Sequence, residues 1–165
     1  MPTFVASHMV LQRAPLGARL WGFASPGMHV AVSLDGQEAV ENQTSAATES
    51  AGEGLWTVNL PPQPAGTGHT MTITDGSRTL TLEDIAFGDV FLCSGQSNME
   101  YNLAMTDGGL EDIADSVNYP HLRLATLAST EVATLQSDAP IRGTGDYAYQ
   151  WMRSGPGAFE TTCGY

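Results

Sequence analysis

A serine hydroxyl becomes a nucleophile when a turn exposes it and aims backbone amides at the same point. The stretch Gly88-Asp89-Val90-Phe91-Leu92-Cys93-Ser94-Gly95-Gln96-Ser97-Asn98-Met99-Glu100 has the residue types for that. The apolar run Val90 to Cys93 reads as a buried strand, Ser94-Gly95 as the turn that stops it, and Ser97 as the hydroxyl left at the lip of a sheet. Such a serine can attack an acyl carbon, form a covalent intermediate and be regenerated by water. Gln96 and Asn98 flank it and could orient substrate or an oxyanion; Asn98 serves equally well as a cap or turn residue. The competing reading of Ser97 is a turn serine that caps a helix and does no chemistry.

Serine chemistry needs a general base, and the sequence offers His8, His29, His69 and His121. His8, at the first strand, reads as a structural residue, and His121, after Pro120, as a loop residue. Cys93 reads as a core thiol because it closes the apolar run. Cys93 and Cys163 are too few for a disulfide framework; two buried thiols and a single bridge are the two readings. Glu111, Asp112 and Asp115 read as a solvated helix face, with a cation site as the alternative. Trp21 and Trp56 read as core residues, with sugar stacking as the alternative.

The elements that must carry these residues change character near Phe87. Before it lie short apolar pieces, Phe4 to Ala6 and Met9 to Leu11, then Arg19 to Phe23 and the alternating run His29 to Leu34. Asp35-Gly36 signals a hairpin with Gln37 to Val40 as its return strand, and residues 41 to 54 read as a solvated loop. Trp56 to Leu60 alternates, and Thr70 to Thr74 and Arg78 to Leu82 flank Asp75-Gly76-Ser77 as a second hairpin. Residues 1–86 therefore predict an antiparallel β-sandwich module. From residue 87 the pattern predicts a strand at Val90 to Cys93 and a short helix or ordered loop over 98–105. A weak helix around Leu110 and Ile113, a second strand at His121 to Leu127 and a helix opening at Pro156 follow. Two strands cannot close a parallel α/β core, so residues 87–165 read as the beginning of such a domain and the whole as a piece of a longer protein.

Composition narrows the partners. Of 165 residues 42% are hydrophobic, which is enough for a core, and 15% are charged. Eighteen acidic residues face six basic ones, all arginine, for a formal charge of −12. That balance argues against nucleic acid and against an anionic membrane surface, both of which need a basic patch. No apolar run approaches the roughly 18 residues of a spanning helix, so no membrane insertion is expected. Met1-Pro2-Thr3-Phe4-Val5 has no signal-peptide character.

The block from Gly88 to Glu100 resembles the first catalytic block of the sialate O-acetylesterase family, a branch of the SGNH-type carbohydrate esterases. Its core, Gln96-Ser97-Asn98-Met99, is similar to that of the wider carbohydrate-esterase group, which includes acetylxylan esterases. Met99 stands where an α/β-hydrolase elbow has its second glycine, which also points away from that fold. Ser7-His8-Met9-Val10-Leu11-Gln12-Arg13 and Trp21-Gly22-Phe23-Ala24-Ser25-Pro26-Gly27 resemble the family's leading β-module, and Trp151 and the Phe159 to Cys163 segment give a weaker match.

The resemblance implies an SGNH-type, flavodoxin-like parallel sheet after the β-module, and a carboxylic ester hydrolase that removes O-acetyl groups from sialic acid. Ser97 would be the nucleophile and its N–H an oxyanion donor, with no metal or organic cofactor. The expected partner is an O-acetylated sialic acid or another acetylated carbohydrate, and the expected setting is secreted, periplasmic or lysosomal. The family's base is a histidine in an Asp-x-x-His block far toward the carboxyl end; none of the four histidines here has an aspartate three residues earlier. The chain is thus expected to be an inactive amino-terminal portion of the enzyme. Acetylxylan or another acetylated polysaccharide is the alternative substrate, and a non-catalytic carbohydrate-binding or vestigial module the alternative of another class.

Overall fold

Hairpin chemistry and alternation build the first half of the computed structural model, which describes residues 1–44, 53–95, 98, 101–126 and 151–161. The protein divides into two compact units, Met1–Val90 and Phe91–Tyr165. Among the described residues it is mostly sheet with few helices. The first unit holds β1 (Val10–Gln12), β2 (Arg19–Ala24), β3 (His29–Leu34), β4 (Val40–Gln43), β5 (Gly54–Asn59), β6 (Gly66–Thr74) and β7 (Thr79–Gly88). A five-stranded sheet runs in the order β1-β7-β6-β3-β4, and β2 pairs with β5 in a separate antiparallel ribbon.

Alternation sorts the side chains as period two requires. Leu20 and Gly22 of β2, Trp56 and Val58 of β5, Val30, Val32 and Leu34 of β3, and Met71 and Ile73 of β6 are buried, while their neighbours along each strand are more exposed. Gly22 has no side chain because the Trp56 ring occupies its place: a Cβ there would lie 2.7 Å from Cζ2 of the indole. Trp56 is a core residue; Trp21 is half-buried, with Phe4 and Phe23 meeting its ring edge-on at 5.4 and 6.0 Å.

The sheet departs from the antiparallel expectation at β1, which runs parallel to β7 in the register Val10↔Ala86, Leu11↔Phe87, Gln12↔Gly88. Alternation marks a strand but not its partner or direction, and these partners lie 76 residues apart. Phe4 to Ala6 forms turns rather than a strand. The return strand after Asp35-Gly36 begins only at Val40, and it extends through Gln43 into the stretch expected to be loop.

The β6–β7 ladder contains two bulges. Between Met71↔Leu82 and His69↔Ile85, β7 advances one residue more than β6; between His69↔Ile85 and Gly66↔Phe87, β6 advances one more. Each has a residue in left-handed backbone, Asp84 (φ 54) and Gly68 (φ 83). Glycine takes that conformation freely, whereas Asp84 is held there with help from His8, itself at φ 68, whose Nδ1 donates to Asp84 Oδ2 at 2.7 Å.

Asp35 makes the corresponding lock at the end of β3. Its N–H donates to the Thr70 carbonyl, its Oδ1 accepts from the Thr70 N–H, and its Oδ2 accepts from His69 Nδ1 at 2.7 Å. The His69 hydrogen bond first, then that of Thr70, holds the Asp35 carboxyl below its ordinary value of 3.8. A depressed carboxylate contributes stability that is full above the unfolded value and lost as pH falls through the folded one. Asn tolerates the left-handed backbone of Asp35 (φ 51), so Asp35→Asn removes the charge with little added strain. In urea melts taken from pH near 5 downward, the stability difference between wild type and Asp35→Asn is expected to shrink below about pH 4. A constant difference across that range would refute the ionised lock.

The second unit contains α1 (Gly109–Asp115), β8 (Arg123–Leu124), β9 (Met152–Arg153) and α2 (Pro156–Thr161), with 3-10 turns at Leu103–Met105 and Ser116–Asn118. Pro156 opens α2, where its missing N–H costs nothing. Two expectations fail here. Val90 to Cys93 is not a buried strand: Phe91 and Leu92 are each 83% exposed, and Cys93 is an exposed free thiol rather than a core one. No strand pairs with this run among the described residues, and an unpaired strand has no ladder to satisfy its backbone. The strand expected over residues 121–127 is only Arg123–Leu124 among the described residues, and it pairs antiparallel with β9 rather than entering a parallel sheet.

Candidate active site

Residues 83–95 lead into the serine block, and the amino-terminal segment lines the first part of that path. The Glu83 N–H donates to Ser7 Oγ, the His8 N–H to the Glu83 carbonyl, the Ala86 N–H to the Met9 carbonyl and the Arg13 N–H to the Gly88 carbonyl. The series ends at a two-pronged ion pair, with Arg13 Nε 2.9 Å from Asp89 Oδ1 and Nη2 3.2 Å from Oδ2. Hydrogen bonding first and then charge lowers the Asp89 carboxyl below its usual range and raises the Arg13 guanidinium. Both side chains are exposed, so the pair contributes little stability; its geometric effect is to direct the backbone as it leaves β7.

Gln96 and Ser97 lie outside the described residues. Asn98 is exposed, and its carbonyl accepts from the Tyr101 N–H at 3.3 Å, which is backbone turn geometry. The segment that follows is tightly tied. Asn102 Oδ1 caps the 3-10 turn by accepting from the Ala104 N–H at 3.0 Å, Tyr101 Oη donates to the Met105 carbonyl at 2.9 Å, and Thr106 Oγ1 donates to the Leu103 carbonyl at 2.7 Å. Gly109 completes the loop by close approach, since a Cβ there would fall 1.7 Å from the Leu103 carbonyl oxygen. Among the described residues the first α-helix after the serine is α1, which begins at Gly109.

α1 buries Ile113, and Ser116 Oγ donates to the Ile113 carbonyl at 2.5 Å. Arg123 is buried, and its Nη1 donates to the Pro120 carbonyl at 2.6 Å. Ser154 ties the end of this unit back through its N–H to the Leu122 carbonyl and its Oγ to the Ser116 carbonyl. Glu111, Asp112 and Asp115 are exposed on α1, a solvated face as expected.

Two of the four histidines prove to be carboxylate-bound through Nδ1, His8 to Asp84 and His69 to Asp35. An Nδ1–carboxylate bond is how serine hydrolases orient a general-base imidazole. Here both pairs lock sheet irregularities, His69 also meeting the Phe87 ring edge-on at 5.2 Å. No local signal could have revealed them, because the partners are 76 and 34 residues apart in sequence. His29 and His121 are exposed. Among the described residues no three His, Cys, Asp or Glu side chains gather as a metal site, and no helix is long and apolar enough to cross a membrane.

Known proteins give this chain its relatives. No family model matches the sequence. It is 31% identical over 156 residues to proteins named sialate O-acetylesterase from Mus musculus and from Homo sapiens, matches that cover 92% of this chain. A sialate O-acetylesterase from Rattus norvegicus is 33% identical over 134 residues, 78% of this chain. The chain spans 28% of the length of the mouse and human relatives. A crystal structure of a carbohydrate acetylesterase from Xanthomonas citri superposes with a TM-score of 0.78 at 27% identity, covering 100% of this chain and 34% of that one. By sequence and fold, the chain belongs to the sialate O-acetylesterase family and matches its amino-terminal portion.

Proposed function

We propose that this chain supplies the nucleophile of a serine-dependent carbohydrate O-acetylesterase that acts on O-acetylated sialic acid. The observation that carries the reading is the match over 92% of its length to proteins named sialate O-acetylesterase. In this reading Ser97 Oγ attacks the acetyl carbonyl carbon, and the sugar hydroxyl leaves with a proton. Water then hydrolyses the acetyl-serine to acetate. Gln96 and Asn98 orient the acetyl group or its oxyanion, beside the Ser97 N–H. The general base comes from a longer polypeptide of which this chain is the amino-terminal part.

Residues 1–86 are read as a β-sandwich module, supported by two sheets whose buried faces alternate with exposed ones. Residues 87–165 are read as the start of an SGNH-type esterase domain. Two facts support that reading: the chain spans 28% of its relatives' length, and many large apolar residues between Phe91 and Leu122 are exposed. The 165 residues alone are accordingly expected to turn over no acetyl ester.

A broader substrate is the second reading, favoured by the structural neighbour, whose name specifies only a carbohydrate acetylesterase. Acetate release by the longer polypeptide from O-acetylated sialic acid and from acetylxylan separates the two. Release from the sialic acid substrate is expected, and cleavage of acetylxylan alone would overturn the sialate reading.

A further inference from the structure

Three Asp-Gly steps occur in the sequence, Asp35-Gly36, Asp75-Gly76 and Asp107-Gly108, and the structure treats them differently. Asp-Gly is the step at which a backbone can rearrange, because glycine leaves the following amide nitrogen unshielded. At Asp35 both carboxylate oxygens are engaged, by the Thr70 N–H and by His69 Nδ1. At Asp75 one oxygen accepts from the Ser77 N–H, the Ser77 hydroxyl and the Arg78 N–H, and the Gly76 N–H itself donates to Thr74 Oγ1. Asp107 and Gly108 are both exposed, and neither the Asp107 carboxylate nor the Gly108 N–H takes part in a hydrogen bond among the described residues.

We propose that Asp107-Gly108 is a site of spontaneous isoaspartate formation, selected by the fold over the two other Asp-Gly steps. The Gly108 amide nitrogen attacks Cγ of Asp107, the new N–Cγ bond closes a five-membered succinimide, and the carboxyl oxygen leaves as water. Water then adds to the ring. Breaking the Cγ–N bond restores aspartate; breaking the original peptide bond leaves the backbone running through Cγ. Atoms balance as an isomerisation, and no oxidant or cofactor takes part. Attack requires the carboxyl carbon to swing onto the next nitrogen, which the hydrogen bonds at Asp35 and Asp75 resist. Those bonds also hold both carboxyls below their usual range, which depletes the protonated form that loses water most readily. At Asp107 the rearrangement inserts a methylene just before Gly108, the residue that caps α1 at φ 77 and whose carbonyl accepts from the Asp112 N–H.

The test is ageing of the folded longer polypeptide at neutral pH, below its melting temperature, beside an identical sample in urea. An isoaspartyl methyltransferase with a labelled methyl donor, followed by peptide mapping, locates the product. In the folded sample the label is expected several-fold higher on the peptide holding residue 107 than on those holding 35 and 75, with the three comparable in urea. Asp107→Glu, which cannot close the five-membered ring readily, is expected to remove the folded-state label. Label at 35 or 75 equal to that at 107 in the folded protein, or none at 107, overturns the proposal.

Discussion

Replacing Ser97 by alanine in the longer polypeptide is expected to abolish acetate release, lowering kcat by roughly a thousand-fold or more. An alanine leaves nothing to carry the acetyl group, so the two-step route is lost rather than slowed. What remains is the modest acceleration from oxyanion donors and substrate binding, which survives loss of the nucleophile. The expected signature is therefore a fall in kcat far larger than any change in KM, with the far-ultraviolet circular dichroism of the two proteins superimposable. Release of p-nitrophenol from p-nitrophenyl acetate by wild type and variant reads the same difference on a minimal acyl donor. If the variant retained wild-type turnover, the nucleophile would have to be sought elsewhere. If neither protein turned over, the non-catalytic module reading would stand.

The largest expected effect on folding is at Trp56. Its side chain is 2% exposed, and its ring fills the place where Gly22 has no Cβ. An indole buries about 200 Å², worth about 5 kcal/mol at about 25 cal/mol per Å². Large-to-small changes at aromatic core sites cost about 3–5 kcal/mol, because the cavity left behind collapses only in part. Trp56→Ala is expected to cost that much, a large share of the roughly 5–15 kcal/mol that holds a domain folded. Urea unfolding followed by circular dichroism of the β-sheet, at matched m-values, measures it without relying on tryptophan fluorescence. A loss under about 1 kcal/mol would mean that the ring is not the keystone of the β2–β5 face. Gly22 offers an independent check on the same contact, since a methyl group added there must displace the ring.

Local chemistry made much of the first unit legible. Asp75-Gly76-Ser77 specifies a turn through one carboxylate that accepts from two successive amides, and the hairpin of β6 and β7 follows it. The alternation of His29 to Leu34 and of Trp56 to Val58 announced which residues go inside, because a strand's side groups have only two directions to point. Pro156 likewise announced the start of α2. The serine block was legible for a different reason: a run of consecutive residue types is local by nature, and its resemblance pointed to the family to which the chain belongs.

The tertiary structure alone decided what joins residues distant in sequence. The parallel pairing of β1 with β7, the His8–Asp84 and His69–Asp35 bonds and the Arg13–Asp89 pair leave no periodic mark, because each depends on where two separate segments meet. The exposure of Val90 to Cys93 belongs to the same class. Four apolar residues show a preference for burial, but burial needs a neighbouring surface, and no strand among the described residues pairs with them. By itself the sequence determined the turns, the inward faces and the family to which the serine block belongs. Long-range pairing decided the rest, since hydrogen bonds and buried area depend on both partners and a single segment encodes only one.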